Sequence, residues 1–294
     1  MKSLCLVFLF LLLSLGATAQ RTAILGALDQ EIAILLDSLK DKKEEQYGGL
    51  TFYTGNLKGQ AVVIAKSGVG KVNASYSTAI LLDHFTPKQL IFTGVAGGLH
   101  PESLPGDVVI GTKLVQTDFG QIDSLGFKVS PFRKLSGGRY EDLYIHSDSV
   151  LVQQAETAAK KVTFLSISNR PPRVFSGVIA TADVFVSNPT TATQLYADYE
   201  ALATEMEGAA VAHLCRTLGV PFVVLRSCSD NANQVARVSF NQFVRPAAIN
   251  SAGIVLQLLQ AMNWALSHLN EGELGPNFFH LSKYELFSLN FNVG

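Results

Sequence analysis

The sequence has few cysteines and no recognisable metal-binding motif. It contains three cysteines among 294 residues, and Cys5 lies near the start of the chain. The other two, Cys215 and Cys228, are too few for a disulfide framework, and their apolar neighbours indicate buried thiols. No H-E-x-x-H or C-x-x-C pattern occurs, so the sequence predicts neither a metal nor a metal-dependent cofactor.

Charge is also scarce. Charged residues make up 16% of the chain, and the formal net charge is -1. This balance supplies no basic surface, so nucleic acid is not predicted as a partner. Two glycine-rich segments also lack nucleotide signatures. Residues 67–72 lack the spacing and hydroxyl of a phosphate loop, and residues 94–99 lack the G-x-G-x-x-G fingerprint.

The apolar run over residues 4–15 lies at the N-terminus, after Lys2. Ala17 and Ala19 then form a small-residue cleavage site before Gln20. This arrangement predicts a signal peptide over residues 1–19 and export to the periplasm or the exterior. An uncleaved anchor is the alternative, but a run of about a dozen residues is shorter than the ~20 of a membrane span. No stable membrane insertion is expected after cleavage.

Strand and helix patterns alternate after residue 20. Continuous apolar segments such as 221–226 are typical of strands that are covered on both faces. The alternation predicts an α/β fold with a largely parallel, covered sheet. A helix is predicted over 205–218, because Gly219 and Pro221 are typical of a helix end, and a second over 247–268. Residues 118–146 are predicted to form a long loop, and the tail over 271–294 has no assigned role.

Several acidic residues and one arginine lie where predicted strands end or helices begin. They are Glu31, Glu205, Glu207, Arg226 and Asp230. Because ligands bind at the carboxyl ends of parallel strands, these side chains are predicted to converge. Taken alone, Glu205 and Glu207 are better explained by the dipole of a helix start, Arg226 by a structural ion pair and Asp230 by a loop cap. Their combination favours a catalytic site with shifted pKa values.

The motifs around these residues resemble those of one enzyme superfamily. The segments "GALDQE" (26–31), "KSGVGKVNA" (66–74), "TGVAGGL" (93–99), "PGDVVI" (105–110), "TADVFV" (181–186), "TEMEGAAVAH" (204–213) and "RSCSDNAN" (226–233) follow the order of the nucleoside phosphorylase/nucleosidase superfamily. The likeness covers residues 21–266 and is greatest to 5′-methylthioadenosine/S-adenosylhomocysteine nucleosidases. It implies one nucleosidase domain over 20–270 with a twisted, mixed central sheet flanked by helices. It also implies a homodimer, a small nucleoside substrate and no cofactor or metal.

The resemblance implies hydrolysis of the adenine–ribose bond. Asp230 would be the general acid toward adenine N7, and Glu31 would hold and deprotonate the attacking water. Glu207 would bind the ribose hydroxyls and stabilise the positive sugar, and Arg226 would pair with the carboxylates. The other substrate contacts that it implies are Phe185 and Val186 at adenine, Met206 and Glu205 at the ribose, Phe240 at the sugar site, Val69 on the alkylthio side, and Val95 near the water or ribose.

Two departures from the family pattern leave the nucleoside open. Val95 stands where well-known members have serine, and "TAD" (181–183) replaces the more usual "SGD". Related phosphorylases carry arginines near the first glycine turn and before the second glycine loop. Both places lack arginine here, which favours water over phosphate as the nucleophile. The alternatives are a purine nucleoside phosphorylase, a nucleosidase of different preference, and an inactive nucleoside-binding protein.

Overall fold

The structure is a computed structural model that describes residues 21–233 and 235–270. The predicted signal peptide and the tail over 271–294 lie outside the described residues. The strands are β1 (Thr22–Gly26), β2 (Lys40–Tyr47), β3 (Leu50–Leu57), β4 (Gln60–Lys66), β5 (Gln89–Gly98), β6 (Val108–Gln116), β7 (Gly120–Asp123), β8 (Gly126–Val129), β9 (Ile145–His146), β10 (Val174–Thr181), β11 (Ala201–Glu205) and β12 (Phe222–Asp230). The helices are α1 (Asp29–Asp37), α2 (Lys71–Phe85), α3 (Ser149–Ala159), α4 (Pro189–Tyr199), α5 (Gly208–Leu218) and α6 (Ala236–Asn270).

Ten strands form one mixed sheet in the order β11-β10-β6-β12-β5-β1-β4-β3-β2, with β9 paired to β6. At its centre, β1 pairs in parallel with β4 and β5, and β12 pairs in parallel with β5. The strand β11 pairs with β10 and also with the end of β5. This second pairing brings the carboxyl ends of β5, β11 and β12 together, which places one ligand crevice at this edge of the sheet.

Helices cover both faces of the sheet and bury two apolar clusters. On one face, Leu81 of α2 and Val211 of α5 pack in the same cluster as Leu25 of β1. On the other face, Leu258 of α6 packs in a cluster with Ile24 of β1. Neighbouring residues of β1 thus face opposite layers, which explains why the strands of this sheet are apolar runs. Fully burying each such side chain contributes about 1.5–3 kcal/mol.

The predicted α/β class and mixed sheet are confirmed, whereas three predictions about individual segments were wrong. The helix predicted to begin at Glu205 begins at Gly208, because residues 201–205 form β11 and pair with β10. The segment 118–146 is not one long loop, since it contains the hairpin of β7 and β8 and the short strand β9. The last helix begins at Ala236 and not at Ala247. Within the described ranges, no helix is both long and apolar enough to cross a membrane.

Candidate active site

A cavity of about 220 Å³ opens at the carboxyl ends of the central strands. Nine residues predicted from the sequence line it: Glu31, Val69, Val95, Phe185, Glu205, Met206, Glu207, Asp230 and Phe240. Two predicted residues do not. Val186 lines a small adjoining cavity, and Arg226 is buried behind the lining of the main one. The tertiary structure therefore brings together residues that lie up to about two hundred positions apart, as the strand-end argument predicts.

Glu31 lies in the first turn of α1 and is held by backbone donors. Its Oε2 accepts hydrogen bonds from the N–H groups of Ala27 and Leu28, the latter at 2.9 Å, and its Oε1 accepts one from Val95 at 2.8 Å. Burial raises the pKa of Glu31, while Arg226 and these three donors act in the opposite direction. The carboxyl group is thus fixed between β1 and β5 before any ligand binds.

Glu205 is enclosed by donors from the protein itself. Its Oε2 accepts hydrogen bonds from Arg226 Nη2 at 2.8 Å and from the N–H groups of Glu207 at 3.1 Å and Gly208 at 2.7 Å. The Thr181 hydroxyl donates to its Oε1. Glu205 therefore caps the start of α5 and forms a buried ion pair, although it also contributes to the cavity wall.

Glu207 lies at the N-cap position of α5, and its side chain reaches a different element. Its Oε1 accepts a hydrogen bond from the Gly70 N–H at 2.8 Å, at the start of α2. Burial raises the pKa of Glu207 to about 8, with Glu205 acting in the same direction and Arg226 opposing it. The two neighbouring glutamates thus have separate roles: Glu205 is a structural cap, and Glu207 faces the cavity.

Asp230 ends β12 and is oriented by its own loop. Its Oδ2 accepts a hydrogen bond from the Ser229 hydroxyl, and its Oδ1 accepts one from the Ala232 N–H, both at 2.8 Å. Burial raises the pKa of Asp230 against the effect of these donors. A raised pKa favours the protonated form of this carboxyl group, and a protonated carboxyl group inside a cavity is suited to donate its proton.

Two glycines of β5 make room for these carboxyl groups. A side chain on Gly94 would place its Cβ 2.6 Å from Glu31 Oε1 and 3.0 Å from Arg226 Nη1. A Cβ on Gly97 would lie 3.0 Å from Asp230 Oδ1. The glycine-rich end of this strand is therefore required by the close approach of acidic side chains, and not by a nucleotide phosphate.

Two aromatic residues, Phe185 and Phe240, form one wall of the cavity. Arg237 and Asn241 also line it, and the sequence analysis missed both. The rings of Phe185 and Phe240 meet edge to face with centroids 5.8 Å apart. The guanidinium of Arg237 lies 5.1 Å from the centroid of the Phe185 ring. The spacing of three residues between Arg237 and Phe240 on the same helix was the available signal for Arg237, but no motif distinguishes either residue.

Metal-ligating side chains do not cluster in the part of the chain that the structure describes, where no group of three or more His, Cys, Asp or Glu is arranged to hold an ion. His213 meets the ring of Phe132 edge-on, with the ring centroids 4.5 Å apart, and burial lowers its pKa. Cys215 and Cys228 are buried free thiols, as predicted. Burial raises the pKa of Cys215 to about 12. The three side chains are therefore structural.

Comparison with known proteins identifies related enzymes. The sequence profile of the Phosphorylase superfamily matches residues 21–260. A 5′-methylthioadenosine/S-adenosylhomocysteine nucleosidase of Anoxybacillus flavithermus is 38% identical over 242 residues, which cover 82% of this chain and 98% of the relative.

Solved structures share the fold. The nucleosidase of the same type from Neisseria meningitidis, in complex with methylthio-immucillin-A, matches with a TM-score of 0.71 and 33% identity, over 82% of this chain and 99% of that one. The native futalosine hydrolase of Helicobacter pylori matches with a TM-score of 0.72 and 31% identity, over 83% of this chain and 98% of that one. The likeness thus extends over the whole length of these relatives.

Burial of Glu207 makes the stability of the unliganded protein depend on pH. Its folded pKa of about 8 lies above the unfolded value of 4.5, so the folded chain keeps a proton that the unfolded chain releases. We expect the free energy of unfolding to fall as pH rises from about 4.5 to about 8, by at most about 1.4 kcal/mol per unit. Glu207→Gln should remove this part of the decline. Urea unfolding of both proteins across this range measures it, and parallel curves would contradict the raised pKa.

Proposed function

The chain belongs to the phosphorylase superfamily and, within it, to the 5′-methylthioadenosine/S-adenosylhomocysteine nucleosidases. From this membership we propose that it hydrolyses the N-glycosidic bond of 5′-methylthioadenosine or S-adenosylhomocysteine and releases adenine and the thioribose product. The observation that carries the residue assignment is the convergence of Glu31, Glu207 and Asp230 on one cavity. Two aromatic rings beside these carboxyl groups supply the apolar surface that a purine requires.

Asp230 is the proposed general acid. Adenine leaves poorly as an anion, so a proton must reach the base, at N7, as the glycosidic bond breaks. Burial raises the pKa of Asp230, which favours the protonated acid that this step needs, and Ser229 and Ala232 orient the carboxyl group. A positioned acid of this kind accelerates a reaction by about 10²–10⁴-fold.

Glu207 is the proposed partner of the sugar. Positive charge develops on the ribose ring when the glycosidic bond breaks, and an ionised Glu207 bound to the ribose hydroxyls stabilises that charge. The hydrogen bond that its carboxyl group accepts from the Gly70 N–H keeps this group at the cavity surface. Met206 and Phe240 in the lining pack against the sugar, with Val69 on the alkylthio side and Phe185 stacked on the base.

Glu31 is the proposed base for water. Three backbone donors hold its carboxyl group, and together with Arg226 they oppose the rise in its pKa that burial causes. In its ionised form Glu31 accepts a proton from water as the water attacks C1′. Of the five ionisable residues that line the cavity, four are acidic and one, Arg237, is basic. An ionised Glu31 at the position of the nucleophile repels a phosphate dianion, which favours water as the nucleophile.

Asp230→Asn tests the assignment of the acid. We expect free adenine from 5′-methylthioadenosine with the wild-type chain, at the same rate with and without phosphate. The variant should lose about 10²–10⁴-fold in kcat, because the amide cannot donate the carboxyl proton to the base. Adenine release followed by chromatography measures both. Unchanged turnover in the variant would remove Asp230 from the mechanism, and formation of 5-methylthioribose 1-phosphate would identify a phosphorylase.

A nucleosidase of different preference is the second candidate. The futalosine hydrolase shares the fold to the same degree as the methylthioadenosine enzyme, and Val95 places an apolar side chain in the cavity beside Glu31. Futalosine therefore belongs in the same substrate panel. A higher kcat/KM for futalosine than for 5′-methylthioadenosine would assign the chain to this second activity.

A homodimer is the proposed assembly. Val72 and Tyr76 are 79% and 50% exposed, and their spacing of four residues forms an apolar stripe on the first turns of α2, while Val69, 46% exposed, lies in the turn just before the helix. Val69 also lines the cavity, so this stripe continues to the cavity mouth. A second copy of the chain would remove these side chains from water and complete the rim of the cavity.

Val72→Asp should weaken the dimer without disturbing α2, because an acidic residue in the first turn suits the helix dipole. We expect the mass in sedimentation equilibrium to fall from two chains toward one. Leu165→Asp provides the control, since Leu165 is 44% exposed and follows α3 on the opposite face of the sheet. A wild-type chain that sediments as a monomer at micromolar concentration would contradict the proposed dimer.

Export is proposed from residues 1–19, and the support for it is their sequence pattern alone. When the full chain is expressed, mass spectrometry of the protein outside the cytoplasm should find an N-terminus at Gln20. Leu11→Arg interrupts the apolar run and should keep the chain in the cytoplasm. An intact Met1 on cytoplasmic wild-type protein would contradict export.

A further inference from the structure

Three charged residues, Lys71, Asp118 and Asp183, form a cluster that we call the clasp. Lys71 Nζ lies 2.6 Å from Asp118 Oδ1 and 3.6 Å from Asp183 Oδ2. The backbone takes part as well, since the Lys71 N–H donates to Asp183 Oδ1 and the Asp183 N–H donates to Asp118 Oδ2, both at 2.8 Å. The clasp therefore joins the start of α2 to the segments that follow β6 and β10.

Each side of the clasp carries part of the cavity. Immediately before Lys71, the Gly70 N–H donates to Glu207, and Val69 lines the cavity. Two residues after Asp183, Phe185 lines the opposite part. In the part of the chain that the structure describes, the Gly70 N–H is the hydrogen-bond donor to the Glu207 side chain. The clasp thus links the ribose-binding carboxyl group to the base-stacking ring.

The start of α2 binds carboxylates that belong to the protein. Free N–H groups at a helix start favour anions, and here those of Gly70 and Lys71 are occupied by Glu207 and Asp183. Gly70 has φ of +89°, and a Cβ there would lie 3.2 Å from Asp183 Oδ1. This explains the glycine-rich segment 67–72, which has no phosphate-loop signature.

Other contacts of this turn do not replace the clasp. The Ser67 N–H donates to the Gly26 carbonyl at 2.8 Å, which holds the turn to β1. Asn73 Nδ2 donates to the Val69 carbonyl at 2.7 Å, which stays within the turn. Neither contact reaches the segment that carries Phe185. The distance between that segment and the turn is therefore set by the clasp.

We propose that Lys71 is a positioning residue for the reaction assigned above: through Asp118 and Asp183 it sets the placement of the Gly70 N–H and of Phe185 around the bound nucleoside. This inference rests on the proposed function. Lys71 itself lies outside the cavity lining and touches no reacting atom.

Electrostatics explain why a cation is needed at this position. Burial alone would raise the pKa of Asp118, but the hydrogen bonds from Lys71 and from the Asp183 N–H hold it below its usual range. Asp118 and Asp183 are therefore two carboxylates held close by one ammonium group. Removal of that group leaves two like charges next to each other, which favours separation of the segments that carry them.

The test compares Lys71→Met with Lys71→Arg and with the double variant Lys71→Met/Asp118→Asn. We expect Lys71→Met to lower kcat/KM for 5′-methylthioadenosine by about 10- to 100-fold, because small misplacements of binding groups have effects of this size. Arginine should restore most of the activity, and the double variant should restore part of it, since the repulsion is removed. Lys128→Met is the matched control: it breaks the pair with Asp123, whose atoms are 3.4 Å apart, and should leave kcat/KM unchanged.

The pH profile distinguishes positioning from loss of stability. Glu207 faces Glu205 of β11, Arg226 and Asp230 of β12 and Glu31 of α1, and the Gly70 N–H favours its ionised form. If Lys71→Met displaces that donor, the pKa of Glu207 rises further. The limb of kcat/KM that increases with pH should then move to higher pH by about one unit. A fall in Tm without a shift of this limb would overturn the proposal.

Adenine binding tests the clasp independently of turnover. Calorimetry with free adenine should show about tenfold weaker binding for Lys71→Met than for wild type or Lys71→Arg, because Phe185 is misplaced. Equal affinities would overturn the proposal even if the chain releases no adenine from any nucleoside. A different result separates the two proposals. If the wild-type chain releases no adenine from any nucleoside while Lys71→Met still binds free adenine more weakly, the proposed reaction is rejected and the positioning role of the clasp is supported.

Discussion

The buried ion pair between Arg226 and Glu205 is the interaction on which the cavity depends. Four carboxyl groups line this small space, and an unpaired buried charge costs about 3–5 kcal/mol. Arg226 lies on β12 at the centre of the sheet, where it neutralises Glu205 and opposes the effect of burial on Glu31 and Glu207. The acids can therefore exist in different protonation states within one cavity, as acid–base chemistry requires.

Backbone N–H groups provide the second constraint, because they orient the acids without adding side-chain charge. Glu31 accepts three such hydrogen bonds, Glu205 accepts two, and Glu207 and Asp230 accept one each. Most of these donors lie at helix starts or in the loops beside them. Glycine at positions 94 and 97 leaves the space for this arrangement. The rigid elements thus hold the catalytic groups in place before substrate binds.

Some parts of the fold were predictable because their environment imposes a pattern on the sequence. The strand β12 is buried along its whole length and reads as an apolar run that ends in Arg226 and Asp230. The strand β2, with the sequence KDKKEEQY, lies at the edge of the sheet and is mostly exposed to solvent. Its sequence therefore has no apolar pattern from which a strand could be predicted. Arg237 was missed for a related reason, since an exposed arginine on a helix surface resembles any solvated residue.

The sequence by itself determined the α/β class, the family resemblance and the strand-end positions of Glu31 and Asp230, because buried strands and glycine turns carry local signals. Local pattern alone treats Glu205 and Glu207 alike, since either suits a helix start, and it is the family resemblance that favours Glu207 as the ribose-binding residue. The tertiary structure adds the partners that distinguish them. Arg226 meets Glu205 from 21 residues away, and Gly70 meets Glu207 from 137 residues away. Such partners are chosen by the packing of distant elements, and no local pattern encodes that choice.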